Sequence, residues 1–306
     1  MPSNKSKQTP RPSQDVYVGQ GIACEFEAIG TKWNVEIFDA QNDQIVADIK
    51  KRIDTFDQHY SRFRPDSLVT QMSKTPGVYK LPHDAKPMLD MYQDLYTVTD
   101  GQVTPLIGQV LADAGYDAEY SFLPKTVTPP PTWDECLDYD FPILTIKHPV
   151  LLDFGALGKG YLVDIIGELL RDRGYEEFII NAGGDILCHG TRTTQIALEN
   201  PSNNEEAIGV ANINNQALCG SAGNRRKWAG YNHIINPTTL ASPIDTGAVW
   251  VTADTAAMAD AMTTALYFAP PEQLQKRYTF NYAIIAHDNS LLYSAGFPAT
   301  FFDEQE

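Results

Sequence analysis

Residues 21–39, GIACEFEAIGTKWNVEIFD, alternate apolar and polar positions around a glycine. A period of two turns one strand face to the core and the other to water, so this segment predicts a β-hairpin. The period then lengthens. Ile45, Ile49, Ile53 and Phe56 recur at helical spacing and predict a helix from Ile45 to Tyr60. Met88, Tyr92, Leu95 and Tyr96 predict a second over about 84–98. Thr104-Pro105 supplies a hydroxyl N-cap with proline in the first turn, and Gly115 a stop. Residues 118–150 are the least regular. The Pro triplet of KTVTPPPTWDE predicts an extended linker, Thr132 caps a short helix, and FPILTI reads as a strand.

Patterning is densest in LLDFGALGKGYLVDIIGELLRDRGYEEFIINAGGDI, residues 151–186. An apolar strand enters a glycine-rich turn. A helix leaves it with Leu162, Ile165, Ile166, Leu169 and Leu170 on one face, and Gly174 ends that helix. The strand EEFIIN follows and breaks at AGGD. The last third predicts strands at about 194–198, 207–213 and 247–252, a helix at about 255–267 and a closing strand pair near 281–294. There is no fixed-period repeat and no strict βαβ alternation, which favours an α+β fold.

The chain has 306 residues, 43% hydrophobic and 20% charged, which excludes disorder as a whole-chain reading. We expect residues 1–17 to be a flexible polar tail and 18–306 one domain, possessing two intertwined lobes and an irregular Pro-rich stretch at about 118–140. Lys and Arg number 23 against 39 Asp and Glu, a net charge of −16. Such a chain repels nucleic acid and anionic membranes, so neither is expected as a partner, and no apolar run has the length of a membrane span. Cys24, Cys136, Cys188 and Cys219 form no CxxC pair. With the polar start MPSNKSKQTPRPSQD they predict a reducing, cytoplasmic setting. An anionic ligand would then need a local device: a metal, a helix N-terminus or a placed lysine.

Four stretches could carry chemistry. Asp153-Phe-Gly155-Ala156-Leu-Gly158-Lys159-Gly160 is either a tight strand–helix turn or a backbone cradle for a pyrophosphate, with Lys159 adding one charge. Its spacing fits neither GxxxxGK[ST] nor GxGxxG. Asp260 and Thr264 lie four apart on one helix face. They are either a hard oxygen pair suited to Mg²⁺ or a solvated aspartate with a threonine bonded back to its helix. The alanines around them imply close approach of another backbone. His233, before Asn236-Pro237, reads as a strand end at a cleft rim, as an acid–base group or a structural histidine. Asn181-Ala-Gly183-Gly184-Asp185 is a bulge or a place where a flat ligand meets backbone. Arg62 and Arg64 form a basic loop that meets an anion or pairs with carboxylates. No GxSxG, HExxH or kinase motif is present.

Five segments together resemble the ApbE family of FAD:protein FMN transferases, in order over about residues 21–295. SRFRPDS (61–67) is similar to its SRFxxDS. Gly101-Gln-Val-Thr104-Pro-Leu-Ile-Gly108 with Ala114-Gly115-Tyr116 is similar to GxxDPTVGPL…WGF. DFGALGKGYLVD (153–164) and NAGGDI (181–186) are similar to DLGGIAKGYAVD…NAGGDI, the most specific match. HIINPTT (233–239) is similar to HIIDPRTG, and ADAMTTAL (259–266) to ADALATAL. The resemblance implies a T-fold-related α+β arrangement of antiparallel sheets and helices, with FAD in a cleft between two lobes. It implies Mg²⁺ on the pyrophosphate and transfer of FMN to a Thr or Ser hydroxyl of a target protein, releasing AMP. Carried over by position, the metal would meet the Ala156 carbonyl, Asp260 and Thr264, with Thr263 adjacent. FAD would meet Ile29, Phe63, Ala114, Gly115, Tyr116, Asp153, Lys159 and Ile235, and His233 would be the general base. Competing readings on the same scaffold are an FAD pyrophosphatase and a flavin binder without catalysis. The sequence departs from the family at Asn236 and Thr104, where aspartate is usual, and at Ala114, where a tryptophan often stacks. Asp245-Thr246-Gly247-Ala248 partly resembles the family's acceptor motif, but Val249 stands where its hydroxyl would be.

Overall fold

The structure, a computed structural model, describes residues 16–18, 21–40, 43–224 and 226–302. In chain order the elements are β1 (Val16–Val18), β2 (Gly21–Ala28), β3 (Thr31–Ile37), α1 (Gln44–Tyr60), α2 (Leu68–Lys74), β4 (Gly77–Lys80) and α3 (Ala85–Val98). A 3-10 turn (Pro105–Ile107) leads into α4 (Gly108–Asp113), followed by α5 (Trp133–Cys136), β5 (Leu137–Asp140), β6 (Ile143–Ile146) and α6 (Gly158–Asp172). Then come β7 (Phe178–Ala182), β8 (Asp185–His189), β9 (Thr194–Asn200), β10 (Asn203–Ile213), β11 (Ala217–Ala222), β12 (Lys227–Trp228) and β13 (Tyr231–Asn232). The chain closes with β14 (Thr246–Ala253), α7 (Ala256–Ala265), α8 (Pro271–Leu274), β15 (Asn281–Ala286), β16 (Leu291–Tyr293) and β17 (Ala299–Phe301). Of the expected tail, residues 1–15 lie outside the described residues, and Val16–Val18 pair with β2.

A nine-stranded sheet in the order β1-β2-β3-β7-β8-β11-β14-β15-β16 divides the molecule. Every pairing among the described strands is antiparallel. Alternation along each strand makes two different faces. Trp33, Val35, Phe178, Ile180, Leu187, Cys219 and Val251 belong to one large core with the buried stripes of α1, α3, α6 and α7. Ile186, Leu218, Trp250 and Ile285 point the other way and pack with Leu198, Ala211 and Ile213 of the small sheet β17-β10-β9. A third cluster joins Val110, Leu111, Ala114, Tyr116, Trp228 and Ile235. The expected α+β architecture of antiparallel sheets and helices is what forms.

Most boundaries follow local chemistry. Thr104 Oγ1 accepts from the Leu106 amide at 3.2 Å, and Thr132 and Glu135 cap α5, with Thr132 N donating to Glu135 Oε2 at 2.8 Å. Gly174 ends the α6 region with φ +83°. FPILTI is shorter as a strand than its apolar run, because Phe141-Pro142 forms the turn between β5 and β6. The sequence pattern did not reveal β1, β4, β5, β8, β11, β12, β13, β17, α2 or α8, and the apolar segment at 151–154 that it read as a strand enters the glycine-rich turn as an irregular stretch.

Candidate active site

Two helices carry the site and touch along glycine and alanine. At Gly160 an added Cβ would stand 2.2 Å from the Ala256 carbonyl and 2.6 Å from Asp260 Cβ, so only hydrogen fits between α6 and α7. Gly160 N donates to Asp260 Oδ2 at 2.9 Å. Asp164 of α6 accepts from the amides of Ala256 and Ala257, each at 2.8 Å, and so satisfies the first turn of α7. Burial raises the Asp164 carboxyl to about 6.

Asp260 is 5% exposed, which overturns its reading as a solvated helix residue. Opposite it, the hairpin β7–β8 turns through Gly183-Gly184 and delivers Asp185, 1% exposed, into an ion pair with Lys159. At Gly183 (φ +63°) a Cβ would meet Thr31 Oγ1 at 1.9 Å, so the glycine break is a tight turn against the neighbouring hairpin. Burial opposes the charge of Lys159, but Asp185 and Asp260 more than offset it and leave the ammonium above its ordinary value. Asp260 itself is pushed well above the carboxylate range by burial and then by Asp185. Two buried carboxylates face one lysine, and the deficit is one cationic charge.

Hard oxygens gather beside this cluster. Thr264 Oγ1 donates to the Ala156 carbonyl at 3.4 Å. Thr263 does not join them, contrary to expectation. It is fully buried, with its hydroxyl 2.9 Å from Ser221 Oγ and bonded at 2.7 Å to the Asp260 carbonyl.

Two cavities meet here. One, of about 400 Å³, is lined by Ile29, Phe63, Tyr116, Tyr120, Asp153, Ala156, Ile235 and Thr264. Phe63 and Tyr120 stack in it, centroids 5.2 Å apart and planes 6° apart. The other, about 910 Å³, runs between the outer face of the large sheet and β9 and reaches Asp260. Gly155, Lys159, Arg226 and His233 line both. His233 follows β13 at this junction. Its Nδ1 is buried without a hydrogen-bond partner among the described residues. Burial, then Arg226 and Lys159, lowers its pKa to about 4, so the imidazole is neutral at pH 7.

The basic loop divides its two arginines. Arg64 pairs on the surface with Asp54, Asp57 and Asp66. Arg62 is buried, pairs with Asp153, and donates to the Tyr116 carbonyl at 2.7 Å. Its Nη2 has no partner among the described residues, although Arg62 lines the smaller cavity. Asp153 serves Arg62 and, at 2.7 Å, the Gly155 amide, so its carboxylate holds the loop from within. Ile29, a β-branched residue at φ +45°, is strained at the cavity mouth.

Ala114 and Gly115 do not reach the cavity. Ala114 is fully buried, and its carbonyl accepts from Trp228 Nε1 at 2.7 Å. Trp228 in turn lies 5.6 Å from the Tyr116 ring and 5.5 Å from Phe122. An indole from a distant strand thus packs over the alanine where the family often has tryptophan. The other departures keep their bonds. Asn236 Oδ1 accepts from the amides of Thr238 (2.8 Å) and Thr239 (3.0 Å), as an aspartate would, and its amide reaches Gln102 Oε1 at 2.8 Å. Thr246 begins β14 and Val249 is fully buried, so the partial acceptor motif is the start of a core strand.

Sequence reasoning missed Tyr120, Trp228 and Arg226, and gave Asp185 no separate role. Arg226 had a signal, the run Arg225-Arg226-Lys227 in an acidic chain. Its Nη1 donates to Tyr116 Oη at 2.6 Å.

These layers and this junction belong to a recognisable class, an α+β protein with a ligand cleft at the meeting of two helices and a sheet. The ApbE family model matches residues 29–284, and the chain belongs to that family. A relative in Haemophilus influenzae, named FAD:protein FMN transferase, is 24% identical over 313 residues, covering 89% of this chain and 88% of the relative. One of the same name in Vibrio cholerae is 23% identical over 268 residues, 78% of each chain. A third, in Rhodobacter capsulatus, is 24% identical over 213 residues, 64% of this chain, and the match spans only 39% of that longer relative. The ApbE protein of Thermotoga maritima superposes with a TM-score of 0.78 at 19% identity, covering 90% of this chain and 97% of that one. The flavin transferase ApbE of Vibrio cholerae gives 0.74 at 18%, covering 94% and 99%. The structural likeness shows a shared fold.

Proposed function

We propose that this protein transfers FMN from FAD to a threonine or serine hydroxyl of a target protein and releases AMP, with Mg²⁺ at the pyrophosphate. The observation that carries this reading is His233, a neutral imidazole with a bare, buried nitrogen, where two cavities meet beside Lys159. In the proposed reaction His233 takes the proton of the acceptor hydroxyl. The freed oxygen bonds to the phosphorus of the FMN half, the bridging P–O bond breaks, and AMP leaves with its electron pair. Diphosphate charge beside His233 would raise its pKa and strengthen it as a base. The Phe63–Tyr120 wall suits a flat ring, and the Arg62 Nη2 donor suits a ring carbonyl or phosphate oxygen.

The residues present fit the metal. The Ala156 carbonyl, Asp260 and Thr264 Oγ1 are hard donors, and the burial and the Asp185 charge that push the Asp260 carboxyl upward are penalties that a divalent cation would offset. Bound there, Mg²⁺ supplies neutralisation of the phosphate charge. Among the described residues no three His, Cys, Asp or Glu form a metal cluster. Water and phosphate oxygens would complete the shell, as Mg²⁺ commonly requires. The four cysteines are buried and form no disulfide among the described residues, in keeping with the reducing, cytoplasmic setting that forms part of this reading.

The test incubates the protein with FAD and Mg²⁺, with and without a small protein bearing an exposed Asp-x-x-Thr-Gly-Ala-Thr segment. Intact mass and AMP are measured. A Mg²⁺-dependent gain of FMN mass on the acceptor is the expected result. AMP and free FMN without labelling would make the protein a pyrophosphatase, and intact bound FAD a flavin carrier.

A further inference from the structure

The larger cavity is more than twice the volume of the aromatic one, about 910 against about 400 Å³, and the flavin reading gives it no occupant. Its floor is the outer face of the nine-stranded sheet, and one wall is β9. Among the described residues β9 pairs with β10 alone, so its other edge presents backbone groups to the groove. An edge of this kind is completed by an extended segment of another chain, through main-chain hydrogen bonds.

Phosphoryl transfer adds a direction. Attacking and leaving oxygens lie roughly in line through the phosphorus. If the dinucleotide enters by the aromatic cavity, the nucleophile comes from the other side of the junction. His233, which takes the proton, opens on both spaces.

Charge narrows the occupant. Glu36 lines the groove, and its carboxylate joins no hydrogen bond or ion pair among the described residues. Glu25 faces the same space and is held by Lys32 at 2.7 Å. Lys32 lines that wall too and neutralises Glu25, so the carboxylate left to meet a basic group there is that of Glu36.

We propose that this groove holds the acceptor segment of the target protein, extended along the free edge of β9, with its hydroxyl at His233 and a basic residue of its flank at Glu36. This rests on the transferase reading. The covalent step is the one already written: the hydroxyl proton goes to His233, one O–P bond forms, the bridging P–O bond breaks, and AMP departs.

Ala197 is exposed on β9 and lines the groove, so Ala197→Trp fills it without touching the aromatic cavity. Synthetic peptides carrying Asp-x-x-Thr-Gly-Ala-Thr, one flanked by lysines and one by glutamates, serve as probes. The wild type should prefer the lysine-flanked peptide. Ala197→Trp should raise KM for that peptide by at least about tenfold, with FAD affinity, read by flavin fluorescence, at the wild-type value. Glu36→Lys should invert the preference between the peptides, and it decides alone if Ala197→Trp fails to fold. In hydrogen exchange, the peptide should slow the amides of Thr194–Asn200. Unchanged KM and unchanged peptide preference in the variants, or protection confined to another face, overturns the groove and leaves the transferase standing. A wild type that releases AMP yet labels neither peptide overturns both.

Discussion

The seam between α6 and α7 and the aromatic lobe around Tyr116 face each other across one cleft and are built in opposite ways. The seam consists of small residues and buried charges, packed so closely that Gly160 has no room for a methyl group. The lobe is assembled from rings of three separate stretches of chain: Phe63, then Tyr116, Tyr120 and Phe122, then Trp228. Tyr120 and Phe122 sit at φ +52° and +51° and are 42% and 41% exposed. Strained, half-exposed segments belong to the low-stability end of a fold, where ligand-admitting parts are found. The difference assigns rigidity to the side that positions charge and adaptability to the side that receives a flat ring.

The comparison can be broken most sharply at Asp260. Asp260→Ala should abolish Mg²⁺-dependent AMP release, a loss of several kcal/mol in transition-state stabilisation and at least about a thousandfold in rate. Activity near wild type would remove the metal from the seam.

His233 provides the next largest effect. Its pKa falls from 6.5 to about 4 on folding. Between those values the unfolded chain binds a proton that the folded one refuses, so this group's contribution is lost as pH falls from about 6.5 to about 4. Asp164, raised from 3.8 to about 6, acts with the opposite sign, its contribution fading as pH rises through that range. Subtracting wild type from His233→Gln cancels Asp164. Denaturant titrations should then show the variant gaining on wild type by up to about 3 kcal/mol as pH drops from 7 to 4. A pH-independent difference would mean that the imidazole is not buried neutral.

Gly160→Ala should cost about 1–3 kcal/mol of stability by forcing the two helices apart, read as a lower thermal midpoint. Tyr120→Ala should leave stability nearly unchanged and weaken FAD binding about fivefold, from a lost ring contact of about 1 kcal/mol. If it instead lowers AMP release at saturating FAD, the lobe takes part in positioning the phosphate and the division between the two sides fails.

The seam was legible in sequence because its parts are short-range: a glycine-rich turn, a helix with one apolar stripe, an Asp four residues before a Thr among alanines. Its charge state was not. That Asp260 is buried depends on β8 bringing Asp185 and on α6 crossing at Gly160, which no local pattern encodes. The lobe was read less well for the same reason. Trp228 covers Ala114 from 114 positions away, and an alignment of motifs put ligand contacts on Ala114 and Gly115 because it could not register that substitution in space. Short strands such as β12 and β13 were invisible because two residues carry no period. Thr263 was misassigned because it neighbours Thr264 in the chain but points to Ser221.

The two amide bonds from Asp164 to the start of α7 have a consequence for how the protein is tuned. They lock the helix that carries Lys159 to the helix that carries Asp260, so the spacing of lysine and carboxylate is set by a residue that lines neither cavity. Cation affinity then becomes a property of helix registration as much as of ligand identity. If the proposed Mg²⁺ site holds, a change at Asp164 would register as a weaker hold on the ion although every proposed donor is still in the chain.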